Sequence, residues 1–286
     1  MSSFRLIRRV LDRLEGPLAA EFGAGLNGEL VAKLGYLSRS YYRLHGGAAQ
    51  DVDYSERSTQ FCYTFKYIAA HADYLFKVLR RMRTPNGGRL FDEEEVTIAC
   101  LGGGPGSDVL AVVRYLAWAG EKEPAKKVTF DIYDKEPGWF SVVEAIVEEA
   151  ESDIQFEVIF HSFDVSNEGT WSEIEFDKYD LITSSFFVSE IKRIGLSVPA
   201  RRFWRFLLRN MSTDALMAFN DNGDERIYGY FDRLIEAAGG FDTLTAEDDE
   251  EVSCGDSFDP VQPWINRLDH RPRRNGKTAN RGLVKR

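Results

Sequence analysis

Apolar residues along this chain change period near position 90. Before it they recur at helical spacing. Phe4, Ile7, Leu11 and Leu14 form one stripe, with Arg5, Arg8, Arg9 and Arg13 largely off it, and Gly16-Pro17 is expected to end that helix. A second helix is predicted over Leu30 to Tyr42, ahead of the Gly46-Gly47 pair. The longest helical pattern runs from Ser58 to Met82, with Phe61, Phe65, Ile68, Ala72, Leu75 and Leu79 as its core stripe. Tyr63, Tyr67, His71 and Tyr74 make a second stripe, rotated by roughly half a turn. That second face reads either as a helix buried on both sides or as a lid turning polar-tipped aromatics, Tyr67 and His71 foremost, to a substrate. Pro85 to Gly88 marks a boundary, giving a helical N-terminal cap over 1–90 and a second unit over 91–286.

Beyond the boundary, short apolar runs alternate with helical stretches. Val96, Ile98, Cys100 and Leu101 suit a buried parallel strand; Gly102, Gly103, Gly104 and Gly106 crowd the turn after it, and Val109, Val112, Val113 and Leu116 then recur at helical spacing. The unit is strand, glycine turn, helix, which aims backbone N–H groups and a helix N-terminus at whatever lies over the turn. Val128, Phe130 and Ile132 predict a second strand ending at Asp134, and Phe156, Val158 and Phe160 a third ending in His161-Ser-Phe-Asp164. YDLITSSFF carries a fourth, and Ala215 to Phe219 a fifth. Helices are predicted after Pro137, after Pro199 and around Ile227 to Ile235, and a last hairpin over Phe241 to Ser253 and Asn280 to Lys285. This alternation is the signature of a doubly wound α/β sheet, in which ligands lie across the carboxyl ends of the strands.

Strand-end residues are therefore the candidate chemistry. Asp134 suits a bidentate acceptor for the two hydroxyls of a ribose; Asp131 is a rival that precedes the strand edge. Asp164 could accept from an adenine amino group with Phe163 against the ring, or simply close a turn. The glycine turn lacks the Gly-Lys-Ser/Thr ending of a phosphate-binding P-loop, and Ser107 stands where a dinucleotide fingerprint would place its third glycine.

Gly102-Gly103-Gly104-Pro105-Gly106 instead resembles the first motif of class I S-adenosylmethionine-dependent methyltransferases, G-x-G-x-G. The resemblance covers roughly Glu93 to Phe241. It implies a Rossmann-like methyltransferase sheet with a helical N-terminal extension, S-adenosylmethionine as cofactor, and methyl transfer to a nucleophile. It also implies cofactor contacts from Gly102, Gly103, Gly104, Gly106, Asp134, Phe163, Asp164 and Ser184. The family's acidic residue two positions before the first glycine is here Cys100, so Asp108 is the expected substitute. Ser-Ser-Phe-Phe at 184–187 replaces the Asn/Asp-Pro-Pro-aromatic of base-amino methylases, which disfavours DNA. A narrower likeness, on Gly102 to Ser107, Asp180-Leu-Ile-Thr183 and Glu190, is to GGGPGS-type ribosomal-RNA uridine-N3 methyltransferases. It makes Glu190 a candidate for acceptor orientation or proton removal, beside His71 and Tyr67; alternatively Glu190 begins a helix. An aminocarboxypropyl transferase using the same cofactor, or a non-enzymatic scaffold of this fold, are the competing readings.

Charge refines the acceptor. A net charge of −10 works against general attraction to nucleic acid. Yet Arg267 to Arg286 holds eight Lys/Arg against one acid, while Glu247 to Glu251 is a run of five acids. Both read as solvated surface, or the tail as a phosphate-binding patch. A small-molecule or RNA acceptor is expected, with no membrane partner. Cys62, Cys100 and Cys254 are far apart without metal spacing, which suits reduced thiols and a cytoplasmic location.

Overall fold

The computed structural model describes residues 2–43, 52–83 and 89–286; the Gly46-Gly47 pair and the Pro85–Gly88 boundary lie outside them. Helix α1 (Ser3–Phe22) does not stop at Gly16-Pro17. Leu18 continues the Leu11–Leu14 stripe and is buried in the main core. Its burial, worth ~2–3 kcal/mol, roughly offsets the ~3 kcal/mol of an interior proline, and packing along the rest of the helix decides. Helix α2 (Leu26–Arg43) starts four residues before the expected Leu30. Then α3 (Arg57–Tyr63), a π-helical turn (Thr64–Ile68) and α4 (Ala69–Met82) form the long helix expected over Ser58 to Met82. Both of its stripes are buried.

The chain continues as β1 (Glu95–Leu101), α5 (Ser107–Ala119), β2 (Lys127–Asp134), α6 (Phe140–Glu148), β3 (Gln155–Ser162) and β4 (Leu181–Ser185). After these come α7 (Phe187–Arg193), α8 (Ser197–Asn210), β5 (Leu216–Asn222), α9 (Glu225–Ala238), β6 (Phe241–Ser253), α10 (Gln262–Leu268) and β7 (Asn275–Lys285). The sheet order is β3-β2-β1-β4-β5-β7-β6, parallel except that β7 runs antiparallel to both its neighbours. Strand alternation assigns the faces. Ile98, Cys100 and Ala218 join α1, α4, α5 and α6 in one core, while Ala99, Leu101, Met217 and Phe219 join α7, α8 and α9 in the other. The chain direction reverses outward from β1 and β4, so the crevice beyond their carboxyl ends is the switch point where such sheets bind ligands.

The acidic run lies on β6, and the later part of the basic segment on β7 beside it. Arg281 pairs with Asp232 at 2.8 Å and Asp248 at 2.6 Å, Lys277 with Asp249 at 3.0 Å, and Arg286 with Asp242 at 2.6 Å. Lys277 and Arg281 of β7, with Arg286 just after it, thus meet acids on the neighbouring β6 and on α9. No helix of the described residues is long and apolar enough to cross a membrane.

Candidate active site

A cavity of about 1180 Å³ opens across the carboxyl ends of β1 to β5, with the α3–α4 helix on one side of it. Its floor is the glycine turn. Gly102 has φ 63°, donates its N–H to the Tyr133 carbonyl at 2.8 Å, and a side chain there would come within 2.5 Å of the Phe187 ring. At Gly104 a Cβ would lie 2.5 Å from Trp139 and 2.6 Å from the Asp134 carboxylate. Gly102 borders the cavity; Gly103, Gly104 and Gly106 shape the turn without lining it.

Asp134 closes the turn from β2. One of its oxygens accepts from Gly104 N–H at 3.0 Å and the other from Glu136 N–H at 2.9 Å. Burial pushes its carboxyl up to about 6 in spite of those bonds. Phe163 and Asp164 line the cavity from the end of β3, where Asp164 also accepts from the Ser166 N–H and hydroxyl at 2.8 and 2.7 Å. The turn role and the site position coexist in that residue. Asp131, the rival, faces the other way. Its buried carboxylate accepts from Tyr179 at 2.5 Å and from His161 and Lys178 at 2.9 Å. Burial would raise its pKa, and these three partners outweigh that and hold it at about 2.

The cap side is aromatic. Tyr54, Tyr63, His71 and Trp139 line the cavity, whereas Tyr67 sits behind them, its ring centroid 5.0 Å from Tyr63 and 5.8 Å from His71. The π turn falls between Tyr63 and His71, the two cap-helix residues that reach the cavity. His71 stacks on Phe186 at 4.1 Å, and its buried Nε2 has no hydrogen-bond partner. Burial, with the positive charge of Arg273, lowers its pKa to about 3, so the ring is neutral. Phe186 itself is held at φ 58°, a left-handed conformation costly for a bulky side chain.

Three expected residues stand apart or in other company. Asp108 lies fully buried beneath the turn, accepting from Thr183 at 2.6 Å and Ser107 at 3.2 Å, and does not line the cavity. Thr183 is the register partner of Cys100, so the Asp108 carboxylate fills interior space beside the thiol. Ser184 is wholly buried on the α7–α8 face and Ser185 reaches the cavity in its place, because adjacent strand residues point to opposite faces. Glu190 does line the cavity, from the first turn of α7, with its carboxylate held by Arg193 at 2.6 Å. Sequence reasoning missed Trp139, Phe186, Phe187 and Arg273. The aromatic pair after β4 was a legible signal; Arg273, far along the chain, carried none.

No family model matches the chain, and no curated protein is a significant match in sequence. Solved structures align with it at low identity. An arsenic(III) S-adenosylmethionine methyltransferase from Chlamydomonas reinhardtii is 14% identical, with 74% of this chain and 73% of that one covered and a TM-score of 0.41. An O-methyltransferase from Bacillus cereus in complex with SAH is 11% identical over 89% and 91%, at 0.41. A precorrin-6y C5,15-methyltransferase from Geobacter metallireducens is 8% identical over 75% and 88%, also at 0.41. Likeness at this level says nothing of the site. The seven-stranded mixed sheet with helices on both faces is a doubly wound, Rossmann-like α/β fold.

Proposed function

We propose that this protein is an S-adenosylmethionine-dependent methyltransferase, acting on a small-molecule acceptor in preference to RNA. The observation that carries the reading is the joint placement of the Gly102–Gly106 turn, the Asp134 carboxylate and Phe163-Asp164 around one cavity at the switch point of the sheet. The residues fit the cofactor. Gly102 borders the cavity with no side chain of its own, so the backbone there is open to close approach. Asp134 presents a recessed carboxylate at a strand end for ribose hydroxyls, and Phe163 a ring face for adenine.

When bound, S-adenosylmethionine supplies a methyl group already activated by its sulfonium. The protein's part is then to hold donor and acceptor in line and to exclude water, for which Tyr54, Tyr63, His71, Phe186 and Trp139 form an apolar wall. His71, kept neutral by burial, orients a ligand through its unpaired Nε2 and does not store a proton at neutral pH. Glu190 is the acidic group of α7 at the cavity, positioned to orient an acceptor or remove its proton while Arg193 holds it.

The GGGPGS likeness keeps RNA as the second acceptor class. The pairing of Lys277 and Arg281 with acids favours the small molecule. Titration calorimetry with S-adenosylmethionine, beside an Asp134→Ala variant, tests the cofactor. Binding that the variant loses supports the reading; a wild type that does not bind brings the scaffold reading forward. Acceptor binding that weakens steeply with salt would restore RNA.

A further inference from the structure

Cations around the cavity are almost all answered by acids or solvent. Arg193 pairs with Glu190, Arg226 with Asp224 and Lys277 with Asp249; Lys135 is exposed, and Lys192 is held by the Arg226 carbonyl within the field of Asp224. Arg273 differs. It is half-buried on the segment leading into β7, its backbone N–H tied to the Lys66 carbonyl at 2.7 Å. Its guanidinium donates to the Asn275 carbonyl at 3.0 Å and to the Tyr74 hydroxyl, both neutral acceptors. Among the described residues no carboxylate comes within ion-pair distance of it. Its field reaches Tyr67, His71 and Tyr74, the polar-tipped face of the cap helix. The buried Nε2 of His71, within that field, has no hydrogen-bond partner.

A half-buried guanidinium against aromatic walls, with no carboxylate of the described residues at ion-pair distance, is open to an anion. Its planar fork matches carboxylate and phosphate oxygens in pairs. We propose that Arg273, with Nε2 of His71, reads an oxyanion, carboxylate or phosphate, on the molecule that fills the cap side of the cavity. The Tyr63 and His71–Phe186 rings beside it favour a ligand whose anionic group sits on a flat apolar body. The inference rests on the cavity being the cofactor and acceptor site. Two sources can supply the anion: the acceptor, or the amino-acid arm of the cofactor.

The test compares affinities for wild type, Arg273→Gln and Arg273→Lys in two arms. One arm sets benzoate and phenyl phosphate against neutral benzamide; the other sets S-adenosylhomocysteine against methylthioadenosine, which lacks the carboxylate arm. Wild type is expected to prefer the anionic member of at least one arm by tenfold or more, the Gln variant to lose that preference, and the Lys variant to keep part of it. Loss in the first arm assigns the oxyanion to the acceptor, and loss in the second to the cofactor. Preferences absent in wild type, or unchanged within twofold in Arg273→Gln, overturn the proposal. A wild type that binds neither nucleoside defeats the cofactor reading alone, because the benzoate arm still reports on Arg273. Thermal melts of both variants check that each is folded.

Discussion

Asp134→Asn should abolish a pH dependence of stability while weakening the ligand. The group's pKa is raised on folding, from an ordinary 3.8 to about 6. A carboxyl raised in this way contributes stability that is complete below pH 3.8 and is lost as pH climbs through about 6. The loss amounts to at most ~3 kcal/mol, two units at 1.36 kcal/mol each. Asparagine does not titrate, and its NH2 opposes one of the two backbone N–H donors at every pH, so its stability relative to wild type, whatever its offset, should rise by up to that ~3 kcal/mol between pH 4 and pH 7. Ligand binding moves oppositely. Ribose hydroxyls donate to the charged carboxylate, and a hydrogen bond to a charged group is worth ~1.5–3 kcal/mol. The variant should therefore bind S-adenosylmethionine ~10–100-fold more weakly at pH 7.5, and wild-type affinity should itself decline as pH falls through about 6. Urea unfolding at pH 4.5 and 7.5 measures the first effect, and calorimetry the second. A stability difference that does not change with pH refutes the linkage argument. Undiminished affinity in the variant refutes the assignment of Asp134 to the ribose.

Other substitutions probe neighbouring parts of the site. Gly104→Ala puts a methyl 2.5 Å from Trp139 and 2.6 Å from the Asp134 oxygen; it should cost ~1–3 kcal/mol in a denaturant melt and weaken cofactor binding as Asp134 shifts. Phe186→Asn relieves ~1 kcal/mol of left-handed strain and forfeits a stack of ~1 kcal/mol together with the partial burial of the ring. Its melting temperature should fall modestly while turnover falls further, and an unchanged turnover would remove Phe186 from the acceptor wall. Asp131→Ala strands Tyr179, His161 and Lys178 together and should destabilise by ~2 kcal/mol or more, with cofactor affinity retained because that network lies off the cavity. A matching loss of affinity would return Asp131 to the site.

Sequence alone determined much of this protein, because the determining interactions are local. The strand–turn–helix at Val96 to Leu116 needs only an apolar run, glycines that leave no room for side chains, and a 3.6-residue repeat after them. The strand ends at Asp134 and Asp164 follow from period-two alternation in the same way. Tertiary structure decided whatever depends on which face a residue presents and on what arrives from far along the chain. Pro17 stays inside α1 because Leu18 has a core to enter. Asp108 and Ser184 stand next to site residues in sequence and miss the cavity, since neighbouring positions on a strand or helix point apart. The basic tail and the acidic run look like two surface patches until β6 and β7 pair and their charges meet. Arg273 comes to His71 across some two hundred positions, carried by a strand that only the closed sheet can place, and no local pattern encodes that meeting.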